Sequence, residues 1–558
     1  MLQGKADTTR RSGWPKRKLQ NVTDPHYDYI VIGAGSAGCV VASRLSEDPK
    51  VRVLLVEAGG PGRDPLLRVP LMAGALLRGR RHNWSYVTEP IPGLGERRCK
   101  WPRGKVLGGS SAINGMVHVR GLPSDYDAWA QTGLSGWSFD DVLPYFRRSE
   151  DFESGADELH GAGGPLPVTR REKPSSPLFE TFVAAGQQAG FPTTDDFNGP
   201  APEGFGRYHF NIRGGRRVSA ADAYLTVQAD RPNLDIWPRT QAARILFDGC
   251  RATGVELIRS GQRITVTANR EIILSGGTVN SPQLLMLSGV GDGEHLRRHG
   301  IPVVAERKEI GRNLQDHAVV RVQYSAVGIN TLARLMRVDR AVLAVVRAML
   351  FGTGPASTFP LEAGAYLKSD PALDEPDLQS HFLPGLSTAA LNWNPLRPTN
   401  AEDGFFANIY AMRPVSRGQI RLAGKDPLVA PSIQPNYFSD PDDIARPRRG
   451  VRLLRHIFSQ VAFDRCRGHE IGPGPEVTSD EEIDAWIRET ADAVFHPVGT
   501  CRMGADVDAV VDGELRLRGV EGVRVVDASV MPRITSTNTH APTVMIAEKA
   551  ADMIRQPR

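Results

Sequence analysis

Cysteine is scarce. Five are scattered over 558 residues, at positions 39, 99, 250, 466 and 501, and no two form a CxxC pair. An odd, dispersed set excludes a disulfide scaffold and a structural zinc site, and it fits a reducing, cytoplasmic setting. No metal ligand set is expected. Long apolar runs are missing as well. Ala341–Phe351 falls short of the roughly 20 residues a membrane helix needs, and Arg347 interrupts it. There is no internal repeat and no low-complexity tract. The body of the chain also lacks a charge surplus. The formal net charge is +5, and the first 20 residues, with six basic groups against Asp7, supply all of it. The rest of the chain has no charge pattern that calls for nucleic acid.

That basic stretch has no apolar segment, so it is not a secretory signal, and Arg10-Arg11 makes a poor twin-arginine one. Residues 1–26 read as a disordered basic tail, with a transit or docking segment as the alternative. The chain as a whole has ordinary globular composition, 41% hydrophobic and 23% charged, and is long enough for several domains.

Tyr27–Ile32 reads as a buried strand. Gly33-Ala34-Gly35-Ser36-Ala37-Gly38 comes directly after it, then a helical pattern with Val40, Val41 and Leu45. A second apolar strand, Val51–Val56, ends at Glu57. This βαβ unit predicts a parallel sheet. The glycines permit a tight turn and close approach to a pyrophosphate, the helix N-terminus favours its charge, and Glu57 is placed to accept from ribose hydroxyls. The motif does not separate FAD from NAD. Arg270–Ser275, Ser281–Leu287, Val523–Asp527 and a helix from Pro542 to about Ile554 continue the α/β pattern, so one cofactor domain is assembled from separated segments. Between them, residues 326–480 alternate Pro-rich loops with strand-like pieces such as Gln419–Leu422.

A second small-residue tract, Trp101–Gly115 (WPRGKVLGGSSAING), invites close approach to a flat ring or a phosphate. With it come GTVNSPQLLMLSGVG at 277–291, GRNLQDH at 311–317, FHPVGTCRMG at 495–504 and VVDASVMPRITSTNTHAPTVMIAEK at 525–549. Together these motifs resemble the glucose–methanol–choline (GMC) oxidoreductase family over about Tyr27–Ile554, and within it the choline dehydrogenase-like members. The resemblance implies a Rossmann-like FAD-binding domain (27–165, 205–325 and 485–558) and a substrate domain on an antiparallel sheet (166–204 and 326–484). It implies FAD, held by Gly33, Gly35, Ser36, Ala37, Gly38, Glu57, Ala58, Trp84, Arg103, Gly108, Ser111, Asn114, Gly115, Met116, Val117, Ala242, Asp527, Ala528, Asn538 and Thr539. Some members link FAD through a His where this chain has Ile113, so noncovalent FAD is expected here. His118 stands where relatives often have an aromatic residue, and a loop or core role is expected for it.

The implied activity is oxidation of a primary or secondary alcohol to an aldehyde or ketone by hydride transfer to flavin N5. A hydride leaves an alkoxide far more readily than an alcohol, and a histidine has the pKa for taking the hydroxyl proton. His496, in Phe-His-Pro-Val-Gly-Thr, is that base by resemblance. The usual SGNTNAPT motif reads Ser-Thr-Asn-Thr-His-Ala-Pro-Thr at 536–543, so the second Asn is His540 and the Gly is Thr537. His540 is therefore expected to sit beside His496 and orient the alcohol oxygen. The helix starting at that point would stabilise a reduced flavin through its N-terminal dipole. Glu362 and His381 match substrate-cavity positions of choline-oxidising relatives, and Val494 and Phe495 adjoin the base. Glu362 either binds a cationic headgroup or pairs with a neighbouring Arg. With no aromatic cage visible, a neutral small-molecule alcohol is expected, with oxygen or a quinone as electron acceptor. A quinone would make the protein membrane-peripheral. Relatives that act as hydroxynitrile lyases or light-driven fatty acid decarboxylases share the scaffold and form the alternative.

Overall fold

A computed structural model describes residues 26–226, 230–389, 391–394 and 402–556. Apart from His26, which opens the first strand, the basic tail lies outside the described residues.

Five parallel strands form the centre of the first sheet, in the order Leu234–Trp237, Val53–Val56, His26–Ile32, the last part of Gln262–Leu274, and Val523–Val525. Val53–Val56 is buried along its whole length and so is almost all of His26–Ile32, so the apolar runs read from the sequence are covered on both faces, as parallel strands require. The first half of Gln262–Leu274 turns away into an antiparallel meander with Arg251–Arg259 and Thr240–Asp248. The turn after the first strand needs glycine twice. Gly33 has φ +98°, and a Cβ on Gly38 would lie 1.8 Å from the Gly33 carbonyl oxygen. The helix Ser36–Leu45 can therefore start directly over the strand ends.

The second sheet runs Arg467–Gly472, Ala318–Ala326, Gly404–Ala411, Leu378–Leu383, Ala363–Leu367, Gly204–Arg207, Thr193–Thr194, antiparallel except for the last pair. Most of Gly204–Arg207 and of Ala318–Ala326 thus hydrogen-bonds into this sheet, although the sequence reading placed 205–325 in the cofactor domain. Extended backbone carries no label saying which sheet it will join. One cross-strand row aligns Gly364, His381, Asn408 and Arg321 on a single face.

The C-terminal helix His540–Arg555 is buried against Ser36–Leu45 and Phe139–Ser149. Its Glu548 is fully buried and held by Arg44 at 2.8 Å, Arg148 at 2.8 Å and the Tyr224 hydroxyl at 2.8 Å, which satisfies a charge that would otherwise be costly there. His118 is buried too. Its Nε2 lies 2.9 Å from Glu150, which also holds Arg120, a core role as expected. Among the described residues no helix is long and apolar enough to cross a membrane.

Candidate active site

A cavity of about 400 Å³ lies between the C-terminal ends of the parallel strands and the face of the second sheet. Two helices, Ser36–Leu45 and His540–Arg555, start at its wall, and neither N-cap residue caps its helix with a side chain. Their first N–H groups therefore lack intrahelical partners and favour an anion. Glu57 accepts N–H bonds from Ala34 at 3.0 Å and Gly59 at 2.7 Å, which leaves acceptor positions on its oxygens for hydroxyl donors. Burial pushes its carboxyl up to about 7 despite those bonds. Asp527 takes the Gly277 N–H at 2.8 Å and fixes the start of the helix Gly277–Leu287.

Gly35 lines this cavity, and a Cβ built on it would meet no protein atom nearer than 4.0 Å. That space is kept open for something other than protein. Ala58, Ala242, Ser111, Asn114, Gly115, Met116 and Val117 complete the same wall, with Trp84, Ala528 and Thr539. Gly38 and Gly108 do not reach it. Gly38 brings the helix onto the turn, and Gly108, at φ +92°, donates its N–H to the Ala34 carbonyl.

At the other end sits His496, buried on the loop after Ala493. Phe495 adopts φ +70°, an unfavourable conformation for a non-glycine residue. Its carbonyl accepts from Arg103 at 2.7 Å, and the His496 N–H is gripped by Asp316 at 2.6 Å, so the loop is held in place from both sides. The imidazole is set by a relay. His317 Nε2 lies 2.7 Å from the Met412 carbonyl, which can only accept, so Nε2 carries the proton. Burial lowers the His317 pKa to about 4, so the ring is neutral and its Nδ1 is a lone pair. That lone pair faces His496 Nδ1 at 3.0 Å, which must donate. His496 Nε2 is then the unprotonated nitrogen, on the cavity side, where it accepts from the Asn538 side-chain amide at 3.0 Å. Burial, then the neighbouring His317, hold His496 well below the usual histidine range.

Two expectations change. His540 is not next to His496; its Nδ1 lies 3.0 Å from the Ser36 hydroxyl, at the nucleotide end. The turn before the helix presents Asn538, two residues earlier, to His496 instead. Glu362 does not line the cavity. It is buried among Ser175 N–H at 3.0 Å, Thr358 at 3.2 Å and Arg207 at 3.5 Å, which is the pairing reading and not the headgroup one. His381, Val494 and Phe495 do line it. The sequence reading missed His317, although it is the last residue of the GRNLQDH motif, and it missed Asn408 and Arg321, which no local pattern marks.

The GMC oxidoreductase N-terminal pattern matches residues 27–319 and the C-terminal pattern residues 414–547. The chain belongs to the GMC oxidoreductase family. A relative named oxygen-dependent choline dehydrogenase, from Paraburkholderia phymatum, is 47% identical over 95% of this chain and 92% of its own length. Among solved structures, pyridoxine 4-oxidase from Mesorbium loti superposes with a TM-score of 0.85 at 34% identity, over 94% of this chain and 98% of that one. A formate oxidase from Aspergillus oryzae RIB40, studied for its FAD modification, has a TM-score of 0.87 at 28% identity, over 95% and 98%. The Gly35 clearing, the two uncapped helix starts and Glu57 fit the FAD of this family. In this GMC oxidoreductase Ile113 is buried at the cavity wall.

Proposed function

We infer that this GMC oxidoreductase oxidises the CH–OH group of a small-molecule alcohol to a carbonyl, with His496 as the proton acceptor and Asn538 holding the alcohol oxygen. The observation that carries the reading is the relay from Met412 through His317. It leaves an unprotonated Nε2 facing the cavity, on a loop that cannot swing away. An alcohol hydroxyl entering there donates to Nε2 and accepts from the Asn538 amide, which now contacts Nε2 directly. The proton passes to Nε2, and the Nδ1–H bond to His317 stabilises the imidazolium that results. The helix start at His540 places positive partial charge in the same cavity and favours negative charge developing there. FAD, when bound, supplies the two-electron acceptor. Oxygen or a quinone-type acceptor completes turnover. The parallel-sheet half holds the dinucleotide, and the antiparallel half holds the alcohol.

Anaerobic addition of alcohols to the yellow enzyme should bleach the flavin. A lyase or a photodecarboxylase on this scaffold would leave it oxidised in the dark, and that result would overturn the reading.

The cofactor is held without a covalent link. Ile113 packs with Leu67, Leu76, Val106 and Ala112 and offers no nucleophilic atom. Acid precipitation should release the chromophore into the supernatant; colour retained in the washed pellet would show a bond made elsewhere.

A further inference from the structure

Among the described residues the cavity has acidic lining only at its nucleotide end. Its acidic lining residues, Glu57 and Asp527, both come just after strands of the parallel sheet and are engaged at the nucleotide end. The carboxylate that a cationic alcohol would need, Glu362, is turned out of the cavity. Two cations line it instead. Arg103 is held through Nε and Nη2 by the Pro102 and Phe495 carbonyls. Arg321 is not so held. It forms a long ion pair with Asp492 at 3.8 Å, beyond hydrogen-bond reach, and Arg78 adds a like charge nearby, so its donors stay available for hydrogen bonds.

Arg321 sits directly across from Asn408, and Asn408 across from His381. The Asn408 amide orientation is fixed, because its Oδ1 accepts the His381 backbone N–H at 2.7 Å. Its NH₂ therefore points away from His381. Both side chains line the cavity, so a guanidinium and an amide present donors from neighbouring strands. The row leads back to the base: His381 shares the Gln379 amide with Asn538, which touches His496. Strands are spaced about 4.8 Å apart, so Arg321 stands on the order of 10 Å along the sheet from His381. Val319, Phe359 and Leu361 line the cavity in that half and are apolar.

We propose that Arg321 and Asn408 form a carboxylate-binding subsite, and that the alcohol oxidised here is an ω-hydroxycarboxylate with an apolar spacer of several carbons. The carboxylate would pair with Arg321 and accept from Asn408 while the carbinol end lies at His496. This subsite rests on the alcohol-oxidation reading, and it sets this chain apart from an enzyme built for a quaternary ammonium alcohol. An anion bound to a guanidinium with free donors gains charge-assisted hydrogen bonds that a neutral alcohol lacks.

The test compares 6-hydroxyhexanoate, 1-hexanol and choline as anaerobic reductants of the FAD-loaded enzyme. Hexanoate, which has no hydroxyl to oxidise, is titrated separately against the flavin absorbance spectrum. The wild type should prefer 6-hydroxyhexanoate over 1-hexanol by at least about tenfold in kcat/KM, and choline should be poorest. Hexanoate should perturb the spectrum saturably. In Arg321→Gln the preference should fall toward one and hexanoate binding should weaken in parallel, with Arg321→Lys between. If 1-hexanol or choline is the best reductant, or if Arg321→Gln leaves the preference intact, the subsite is wrong while alcohol oxidation stands. If no alcohol bleaches the flavin yet hexanoate binds and loses affinity in Arg321→Gln, the subsite stands and the oxidation reading falls. The wild-type comparison alone decides the matter if the variants do not fold.

Discussion

His496→Ala should lower kcat and kcat/KM for anaerobic flavin reduction together, by about 10²–10⁴, because a general base acts in the transition state and not in substrate binding. The wild type and the variant should also respond to pH in opposite ways. In the wild type the working form is the neutral ring. Burial and His317 hold its pKa well below the ordinary value of about 6.5, so protonation disables the base only on the acid side of that value. The wild-type rate should be flat through neutrality and fall only in acid. The variant has no ring to take the proton, so its rate should climb with pH as the alcohol ionises unaided. A loss under tenfold, or a variant without rescue at high pH, would place the base elsewhere. The same assay ranks the two helix-start residues. Asn538→Ala should cost more than His540→Ala, since only Asn538 touches His496; the reverse order would restore the His–His pair that the motif led us to expect.

His317→Leu should slow flavin reduction by about 10- to 100-fold without displacing the cofactor. The buried Nδ1–H of His496 would lose its acceptor, a penalty of about 1–3 kcal/mol, and the ring would be free to move the proton to Nε2, where it blocks the base. Asparagine is the informative partner substitution. Its side-chain oxygen falls near the position of Nδ1 and can accept only, so His317→Asn should recover most of the rate. A purely structural role for His317 would show equal losses in both variants, with lowered Tm and an unchanged pH profile.

The two strands of the βαβ unit were legible because they are largely buried and read as apolar runs, whereas Leu234–Trp237, with Asp235 and only partial burial, went unread. The Gly33–Gly38 turn, Glu57 and the helix between them lie within one contiguous stretch, and local chemistry sufficed to read them. The candidate base was legible too, since His496 stands in a loop that Pro and Gly mark. Its partner was not. Whether residue 538 or 540 faces His496 depends on how the chain enters a helix, a rotation of about 200° that residue types alone do not set. Glu362 stayed open between two readings for a related reason: a carboxylate just before a strand looks the same whether it faces a ligand or an arginine 155 residues away. Arg321 and Asn408 meet only through sheet register, which is settled by pairing across the chain.

The central sheet closes with Val523–Val525, and the helix packed on Ser36–Leu45 begins at His540. At about 5–20 residues per second, a ribosome needs roughly 25–100 s to travel from the first of these helices to the second. Until the second helix is made, the side of Ser36–Leu45 that it covers is bare, and between residues 274 and 523 so is one edge of Gln262–Leu274. A nascent chain stalled before residue 523 presents a bare strand edge and a bare helix face, the surfaces by which unfinished proteins stick to one another or are caught by chaperones.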